Sequence, residues 1–253
     1  MRAMPLTIAT WNVNGIRARQ SQFAEWVGRD RPDVVCLQEI KARPDQVPQL
    51  VCNLDGYTCY WHGAGAYSGV ALHVKKERCP LPAFTHPEFD METRIVHAEV
   101  DGIVIASVYV PNGGKDFPAK MAFFEKLVDF AATVHASGRR LAICGDLNIA
   151  HTDQDLHPKE RKAGVIGQRP DERAVLDHLL ALGLVDVGRQ LNPDREDMFS
   201  WWAPWRNMRQ RNIGWRIDYI LASAPLAERA TSCKVLPDIG TSDHAPVVAS
   251  FDV

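Results

Sequence analysis

Short apolar runs of strand length alternate with amphipathic helical stretches from one end of the chain to the other, and this rhythm most constrains what it can fold into. Leu6 to Trp11 alternates as a strand does, whereas Val34-Val35-Cys36-Leu37 is a continuous apolar run suited to a strand buried on both faces. Between them Phe23, Trp26 and Val27 fall at helical spacing. Gly69 to Val74, Arg94 to Val100 and Ile103 to Val110 read as further strands, the last two joined by a turn at Asp101-Gly102. Met121 to Val134 sets Phe124, Leu127, Val128 and Ala131 on one helical face, and a strand follows at Leu141 to Cys144. Glu172 to Leu182 resumes a helical pattern, and Trp215 to Leu221 and Val247 to Phe251 read as late strands. The polar stretch from His151 to Pro170 reads as a functional loop, because no low-complexity linker or repeat marks a boundary. The expectation is one α/β domain spanning residues 1–253, with strands in the core and helices outside.

Charge narrows the partners. Lys and Arg total 29 against 31 Asp and Glu, a net charge of -2, so nonspecific coating of nucleic acid is excluded and any such binding must be local. The six cysteines at 36, 52, 59, 79, 144 and 233 form no Cys-x-x-Cys pair and read as reduced thiols. Met1 to Thr10 lacks a signal-peptide apolar region, and no apolar run approaches the ~20 residues of a membrane span. A cytosolic protein without a membrane partner is expected.

Five polar clusters carry the chemistry, and the reading places them at the carboxyl ends of strands, where α/β sheets present their ligand-binding loops. They are Asn12-Val13-Asn14, Gln38-Glu39, Tyr109 to Asn112, Gly145-Asp146-Leu147-Asn148 and Ser242-Asp243-His244. Singly each has an ordinary explanation: a turn asparagine, a helix cap at Asp146, a surface acid at Glu39. Together they supply carboxylates, carboxamides, a phenol and an imidazole, a set suited to a hard cation and a phosphate. Mg²⁺ needs only one or two acids such as Glu39 and Asp243, with phosphate oxygens and water completing its shell. Asp146 with Asn148 can orient and deprotonate a water; Asn12, Tyr109 and His244 can hydrogen-bond the phosphate, His244 being kept cationic by Asp218.

The motifs Trp11-Asn12-Val13-Asn14-Gly15-Ile16-Arg17, Leu37-Gln38-Glu39-Ile40-Lys41, Tyr67-Ser68-Gly69-Val70-Ala71, Tyr109-Val110-Pro111-Asn112, Gly145 to Ala150, Trp215 to Tyr219 and Ser242 to Pro246 occur in one order across nearly the whole chain. As a set they resemble the exonuclease III family of abasic-site endonucleases. The resemblance implies the endonuclease/exonuclease/phosphatase fold, a four-layered α/β sandwich of two packed mixed β-sheets flanked by helices. It also implies Mg²⁺-dependent incision of duplex DNA 5′ to abasic sites leaving a 3′-hydroxyl, with 3′-phosphatase, 3′-phosphodiesterase and 3′-to-5′ exonuclease activities at the same centre. Mn²⁺ suits the same donors. By position, the resemblance implies Glu39 as principal metal ligand, with Asn12, Asp243, Asp146, Asn148 and His244 completing the ligand set. Tyr109, Asp146, Asn148, Asp218 and His244 become the catalytic residues, and Lys41 supports the acidic cluster. A monomer is implied as well.

On the DNA side, Trp201 to Arg216 holds four of the seven tryptophans, interleaved with Arg206, Arg209, Arg211 and Arg216 and without an acid, which reads as a DNA-facing loop with Trp202 buried. Trp201 and Trp215 resemble the family's aromatic pocket for a flipped abasic sugar. Trp205 falls near the place where some relatives wedge an apolar side chain into the duplex, although Ala203-Pro204-Trp205 departs from their pattern. Gly167 would leave the pocket open where a bulky residue would fill it. Asn14, Arg17, Lys41, Tyr67, Asn112 and Lys115 complete the expected substrate contacts, and the basic residues of His157 to Lys162 face either DNA or solvent. Three competing readings remain: lipid or inositol phosphate hydrolysis or nonspecific DNA cutting on the same fold, with the Arg/Trp segment and the lack of an export signal counting against secreted sphingomyelinase or general nuclease roles; a 3′-end processing enzyme with little abasic endonuclease activity; and a catalytically silent damage binder. Retention of the full acidic set argues against the last.

Overall fold

Two β-α-β units, one at the centre of each of two sheets, organise the fold. The computed structural model describes residues 5–253; Met1 to Met4, the start of the amino-terminal stretch read above, lie outside the described residues. The first unit is β1 (Pro5–Asn12), α1 (Ile16–Asp30) and β2 (Val34–Gln38), followed by the short α2 (Gln49–Cys52), β3 (Tyr57–His62) and β4 (Val70–Lys75). Then come β5 (Ile95–Val100) and the second unit, β6 (Ile103–Tyr109), α3 (Phe117–Ala136) and β7 (Arg140–Asp146). The chain closes with α4 (Pro170–Ala181), β8 (Leu184–Asp186), α5 (Val187–Leu191), β9 (Asp218–Ser223), α6 (Ala224–Ala227), β10 (Ala230–Val235) and β11 (Val247–Asp252).

One sheet has the order β10-β11-β1-β2-β4-β3 and the other β5-β6-β7-β9-β8. Within each, only the β-α-β pair is parallel: β1 with β2, and β6 with β7. The sheets are therefore mixed. Alternation along the strands decides the layers. Leu6, Ile8, Val34 and Cys36 meet Ile103, Ile105, Ala142 and Cys144 between the sheets. Ala9, Trp11, Val35 and Leu37 turn outward under α1 and α2, while Val104, Ala106, Leu141 and Ile143 turn outward under α3 and α4. Helix, sheet, sheet, helix is the four-layered sandwich expected from the sequence. All six cysteines are free. Among the described residues, no helix is long and apolar enough to cross a membrane.

Local signals explain the helix ends. Asp116 caps α3, its Oδ1 accepting the Ala119 N–H at 2.9 Å, and Pro118 occupies the first turn where no amide donor is needed. Pro170 opens α4 in the same way, and the Glu172 carboxylate accepts the Arg169 N–H at 3.1 Å.

The structure departs from the reading in three places. The strand placed at Trp215 to Leu221 begins at Asp218, because Trp215 makes only isolated bridges to Leu156 and Trp201. Ser242-Asp243-His244 does not end a strand: it precedes β11, which runs antiparallel to β1 and so brings its amino end to the carboxyl end of β1. Strands β3, β8 and β10 lie at sheet edges and have no counterpart among the strands expected from the sequence.

Arg216 is not a phosphate-facing arginine. Its guanidinium is buried, Nε at 2.7 Å from Asp155 Oδ1 and the terminal nitrogens at 3.1 and 2.6 Å from the two oxygens of Asp186. Arg189 adds a second contact to Asp155 at 2.6 Å. This network pins the polar stretch and α5 to the segment leading into β9. Arg216→Met leaves two buried carboxylates without their main partner and is expected to cost about 3–5 kcal/mol in denaturant unfolding. Burial alone would raise the Asp155 carboxyl, but Arg216 and Arg189 hold it at about 2, below its ordinary value. A depressed folded-state value stabilises above the unfolded value, and that stabilisation is lost as pH falls from about 4 toward 2. The acid limb of unfolding should therefore be shallower in Arg216→Met, as a pH series of melting temperatures will reveal.

Candidate active site

The two parallel pairs deliver their carboxyl ends to one place. Asn12 ends β1, Glu39 follows β2, Tyr109 ends β6 and Asp146 ends β7. Asn12 bridges the two sheets: its Nδ2 donates to Glu39 Oε1 at 3.0 Å and to Asp146 Oδ2 at 2.9 Å. Oxygens of Glu39 and Asp146 and a nitrogen of His244 lie within 4.8 Å of one another. Asp243 stands beside them, Oδ1 accepting from Asn14 Nδ2 at 2.8 Å and Oδ2 from Trp201 Nε1 at 3.1 Å.

Backbone strain gathers here. Asn14, Glu39, Lys41 and Asn148 all have positive φ, between 44° and 53°, a conformation that side-chain-bearing residues adopt at a cost. It turns Glu39 and Lys41 toward each other, so that Lys41 Nζ lies 2.7 Å from Glu39 Oε2 and donates to Asn14 Oδ1 at 2.5 Å. Gly145 answers a different need: with φ at +154°, a Cβ there would run into the Val108 carbonyl oxygen of the neighbouring strand.

Four carboxylates, Glu39, Asp146, Asp218 and Asp243, face two cationic side chains, Lys41 and His244. Burial raises the Asp146 carboxyl to about 7 against the downward pull of His244. Burial would lower the His244 imidazole, but Asp218, 2.9 Å from Nδ1, and Asp146 raise it to about 10, so it is cationic. Ser200 Oγ donates to Asp218 Oδ2 at 2.6 Å, while Asp218 Oδ1 is buried without a hydrogen-bond partner among the described residues. Burial opposes ionisation of Glu39, and the hydrogen bonds from Asn12 and Lys41 outweigh it, leaving Glu39 below its ordinary value. The excess negative charge and the oxygen donors fit a divalent cation, so the cluster is able to bind a metal ion through its carboxylates; cationic His244 has no free lone pair and stands beside the ligands instead of joining them as the resemblance implies.

Asn148 accompanies Asp146: its N–H donates to Asp146 Oδ1 at 2.9 Å, its Nδ2 to the Val110 carbonyl at 2.9 Å, and its Oδ1 accepts from Asn112 at 3.1 Å. Burial, then the charges of Glu39 and Asp146, push the Tyr109 hydroxyl well above its ordinary value, so it is a protonated donor. The Arg94 guanidinium lies 4.7 Å from the Tyr109 ring centroid and 5.3 Å from that of Tyr67, and Lys115 Nζ stands 5.5 Å over Tyr67.

These groups open into a cavity of about 330 Å³ walled by Trp201, Trp215, Ile166 and Ile217. Trp201 and Trp215 meet edge to face, with centroids 5.6 Å apart, and their backbones exchange two 2.9 Å hydrogen bonds. Gly167 backs this wall: a Cβ there would lie 2.8 Å from the Trp215 ring. Trp202 is buried, as the sequence suggested, whereas Trp205 is 60% exposed and lines a neighbouring surface depression with Arg19 and Arg206. Among the described residues Arg17 reaches the Lys41 carbonyl alone, at 3.5 Å.

Arg209 corrects the reading of the Arg/Trp segment. Its guanidinium is spent on the carbonyls of Pro237, Ile239 and Ser242 and stacks 5.0 Å from the Trp202 ring, so it braces the Asp243 loop. Two positioning groups went unread: Arg94, and the buried Lys120, whose Nζ holds the Asn112 and Asn148 carbonyls at 3.2 and 2.9 Å and pairs with Glu172 at 2.5 Å. A helical lysine 52 residues from its partner carries no local signal.

A four-layered sandwich with such a cavity at its parallel strand ends belongs to the class of α/β phosphoesterases. The chain matches the Endonuclease/Exonuclease/phosphatase family over residues 9–244 and belongs to it. It is 33% identical to the exodeoxyribonuclease of Bacillus subtilis over 252 residues, 96% of this chain and 98% of that protein. Among solved structures it is similar to an AP endonuclease from Archaeoglobus fulgidus (TM-score 0.87, 31% identity, covering 98% of this chain and all of that one). It is equally similar to the 3′ phosphatase NExo from Neisseria, bound to a product DNA hairpin (TM-score 0.88, 32% identity, with the same coverage). The family resemblance carried by the sequence motifs is borne out.

Proposed function

We propose that this protein is a DNA-repair phosphodiesterase, monomeric and Mg²⁺-dependent, that incises duplex DNA on the 5′ side of abasic sites and leaves a 3′-hydroxyl. The observation that carries the reading is the convergence of Glu39, Asp146 and His244 beside a cavity walled by Trp201 and Trp215. The single catalytic domain spans residues 1–253.

Glu39 would hold the metal, with Asn12 fixing its carboxylate and Asp243 beside it, and Mg²⁺ there would neutralise phosphate charge and the departing oxygen. Asp146 takes the proton of the attacking water, and Asn148 orients that water. Cationic His244, the protonated Tyr109 hydroxyl and the Asn12 carboxamide donate to the phosphate oxygens, whose charge grows in the transition state. Trp201 and Trp215 receive a flipped sugar that has no base. Asn14, Lys41, Asn112, Tyr67 and Lys115 line the approach, and Arg17 and Trp205 contact the flanking duplex.

Likeness to NExo favours a second reading, a 3′-end phosphatase with little incision of internal sites. Purified protein should be given one duplex with a single internal abasic analogue and one with a 3′-phosphate at a nick, each with Mg²⁺ and with chelator. Metal-dependent incision of the first supports the proposal; repair of the second alone replaces it with the second reading; bound but uncut DNA in both makes the protein a silent binder.

Gly167 offers an internal check. Gly167→Ala forces a Cβ to 2.8 Å from the Trp215 ring and 3.2 Å from the Asn148 carbonyl oxygen at a φ of +88°, so the cavity wall must shift, and the Asn148 backbone must give by a few tenths of an ångström. Abasic incision is expected to fall on the order of tenfold, short of the ~10²-fold that a full 1 Å misplacement costs. Release of 3′-phosphate, which needs no flipped sugar, should fall less, and equal losses on both substrates would count against the pocket.

A further inference from the structure

A second group of metal-type donors lies outside this cavity, where the end of β3 meets the segment between β4 and β5. His62 Nε2 is 2.6 Å from Asp90 Oδ2, and the His86 ring stacks on His62 with centroids 3.8 Å apart. One donor atom from each of the three side chains lies within 4.8 Å of the others. His86 and Asp90 are held from behind. His86 Nδ1 is 3.2 Å from the Ile95 carbonyl oxygen, which can only accept, so Nδ1 carries the proton and Nε2 presents its lone pair. The Tyr60 hydroxyl, 2.8 Å away, donates to that lone pair. Asp90 Oδ1 accepts the backbone N–H groups of Arg94 and Ile95 at 2.8 and 3.1 Å, which leaves Oδ2 facing His62. Carbonyl and amide contacts of this kind orient ligating imidazoles and carboxylates in metal sites. The His62 and Asp90 side chains are 20% and 11% exposed, shielded yet open to a small ion.

We infer that His62, His86 and Asp90 bind a transition-metal cation of the Zn²⁺ class at a site separate from the acidic centre. Two imidazoles and one carboxylate suit Zn²⁺ or Co²⁺, whereas Mg²⁺ takes oxygen donors. The cation replaces the proton shared by His62 and Asp90 and takes the His86 lone pair now satisfied by Tyr60, which requires the His86 ring to turn out of its stack on His62 because an ion lies in the plane of each imidazole it binds. It thereby ties β3 to the loop that ends at Arg94, whose guanidinium lies between Tyr67 and Tyr109. This assignment does not depend on the substrate proposed above.

The test is a titration of the full chain, stripped by chelator and then held in excess Mg²⁺, with Co²⁺ followed by its visible absorption and with Zn²⁺ followed by calorimetry. One tight event is expected. It should persist in Glu39→Gln/Asp146→Asn, which dismantles the acidic centre, and weaken by about 100-fold or more in His62→Gln and in His86→Gln. Absence of tight binding, or binding lost in the acidic double variant and intact in both histidine variants, overturns the site and leaves a hydrogen-bonded cluster only. Should the histidine variants fail to fold, imidazole nitrogen resonances of the wild-type chain decide: Zn²⁺ must shift those of His62 and His86, and unmoved signals overturn the assignment.

Discussion

Asp146→Asn should lower the rate of DNA cleavage by about 10²–10⁴-fold, the range a positioned general base contributes. The replacement keeps the shape of the side chain and the acceptor for the Asn148 N–H at 2.9 Å, so the loop after β7 should stay in place. What it removes is the proton acceptor. It also removes a buried negative charge that repels phosphate, so DNA affinity measured in chelator should be unchanged or tighter. Single-turnover rates and fluorescence anisotropy on the same abasic duplex separate the two effects. A variant that cuts at the wild-type rate would remove Asp146 from the mechanism.

Asp218→Asn acts one step further from the phosphate. In the wild type His244 is cationic below about 10, because Asp218 and Asp146 overcome the effect of burial. The sign follows: a raised value means the positive charge is present at neutral pH and is lost as pH rises through about 10. Without the Asp218 charge that loss moves down toward the ordinary histidine value of about 6.5. At alkaline pH the variant should lose about 10²–10³-fold in rate, the effect of removing one preorganised donor to the developing charge. Near pH 6 the defect should shrink. A pH–rate profile that keeps the wild-type alkaline limb would sink the pairing as the source of His244's charge.

Much of the centre was legible because its parts lie at the ends of apolar strands that announce themselves. Val34 to Leu37 is apolar throughout since both faces of β2 are covered, and Glu39 comes directly after it. Two edge strands behave otherwise. Tyr57–His62 and Ala230–Val235 each pair on one side only and keep polar residues toward solvent, so neither period nor hydrophobicity marks them. Arginine was the most misleading residue. Trp201 to Arg216 looks uniformly basic in one dimension, yet Arg216 is neutralised by Asp155 and Asp186, and Arg209 by backbone carbonyls. Composition counts charges without saying where they point. Lys120 and Arg94 were invisible for a related reason, since their partners are set by tertiary packing and not by spacing.

The donors of the centre are divided between the two sheets. Asn12, Glu39, Asp243 and His244 belong to loops of the sheet containing β1; Tyr109, Asp146 and Asn148 belong to the sheet containing β7, and the Asn12 carboxamide joins the halves. Neither sheet alone holds a working nuclease. Cutting power is thus acquired only when the sheets dock in register, at the end of assembly, so a half-folded chain cannot cut DNA. In a refolding experiment, recovery of secondary structure should lead and recovery of cleavage should follow with the docking of the two faces.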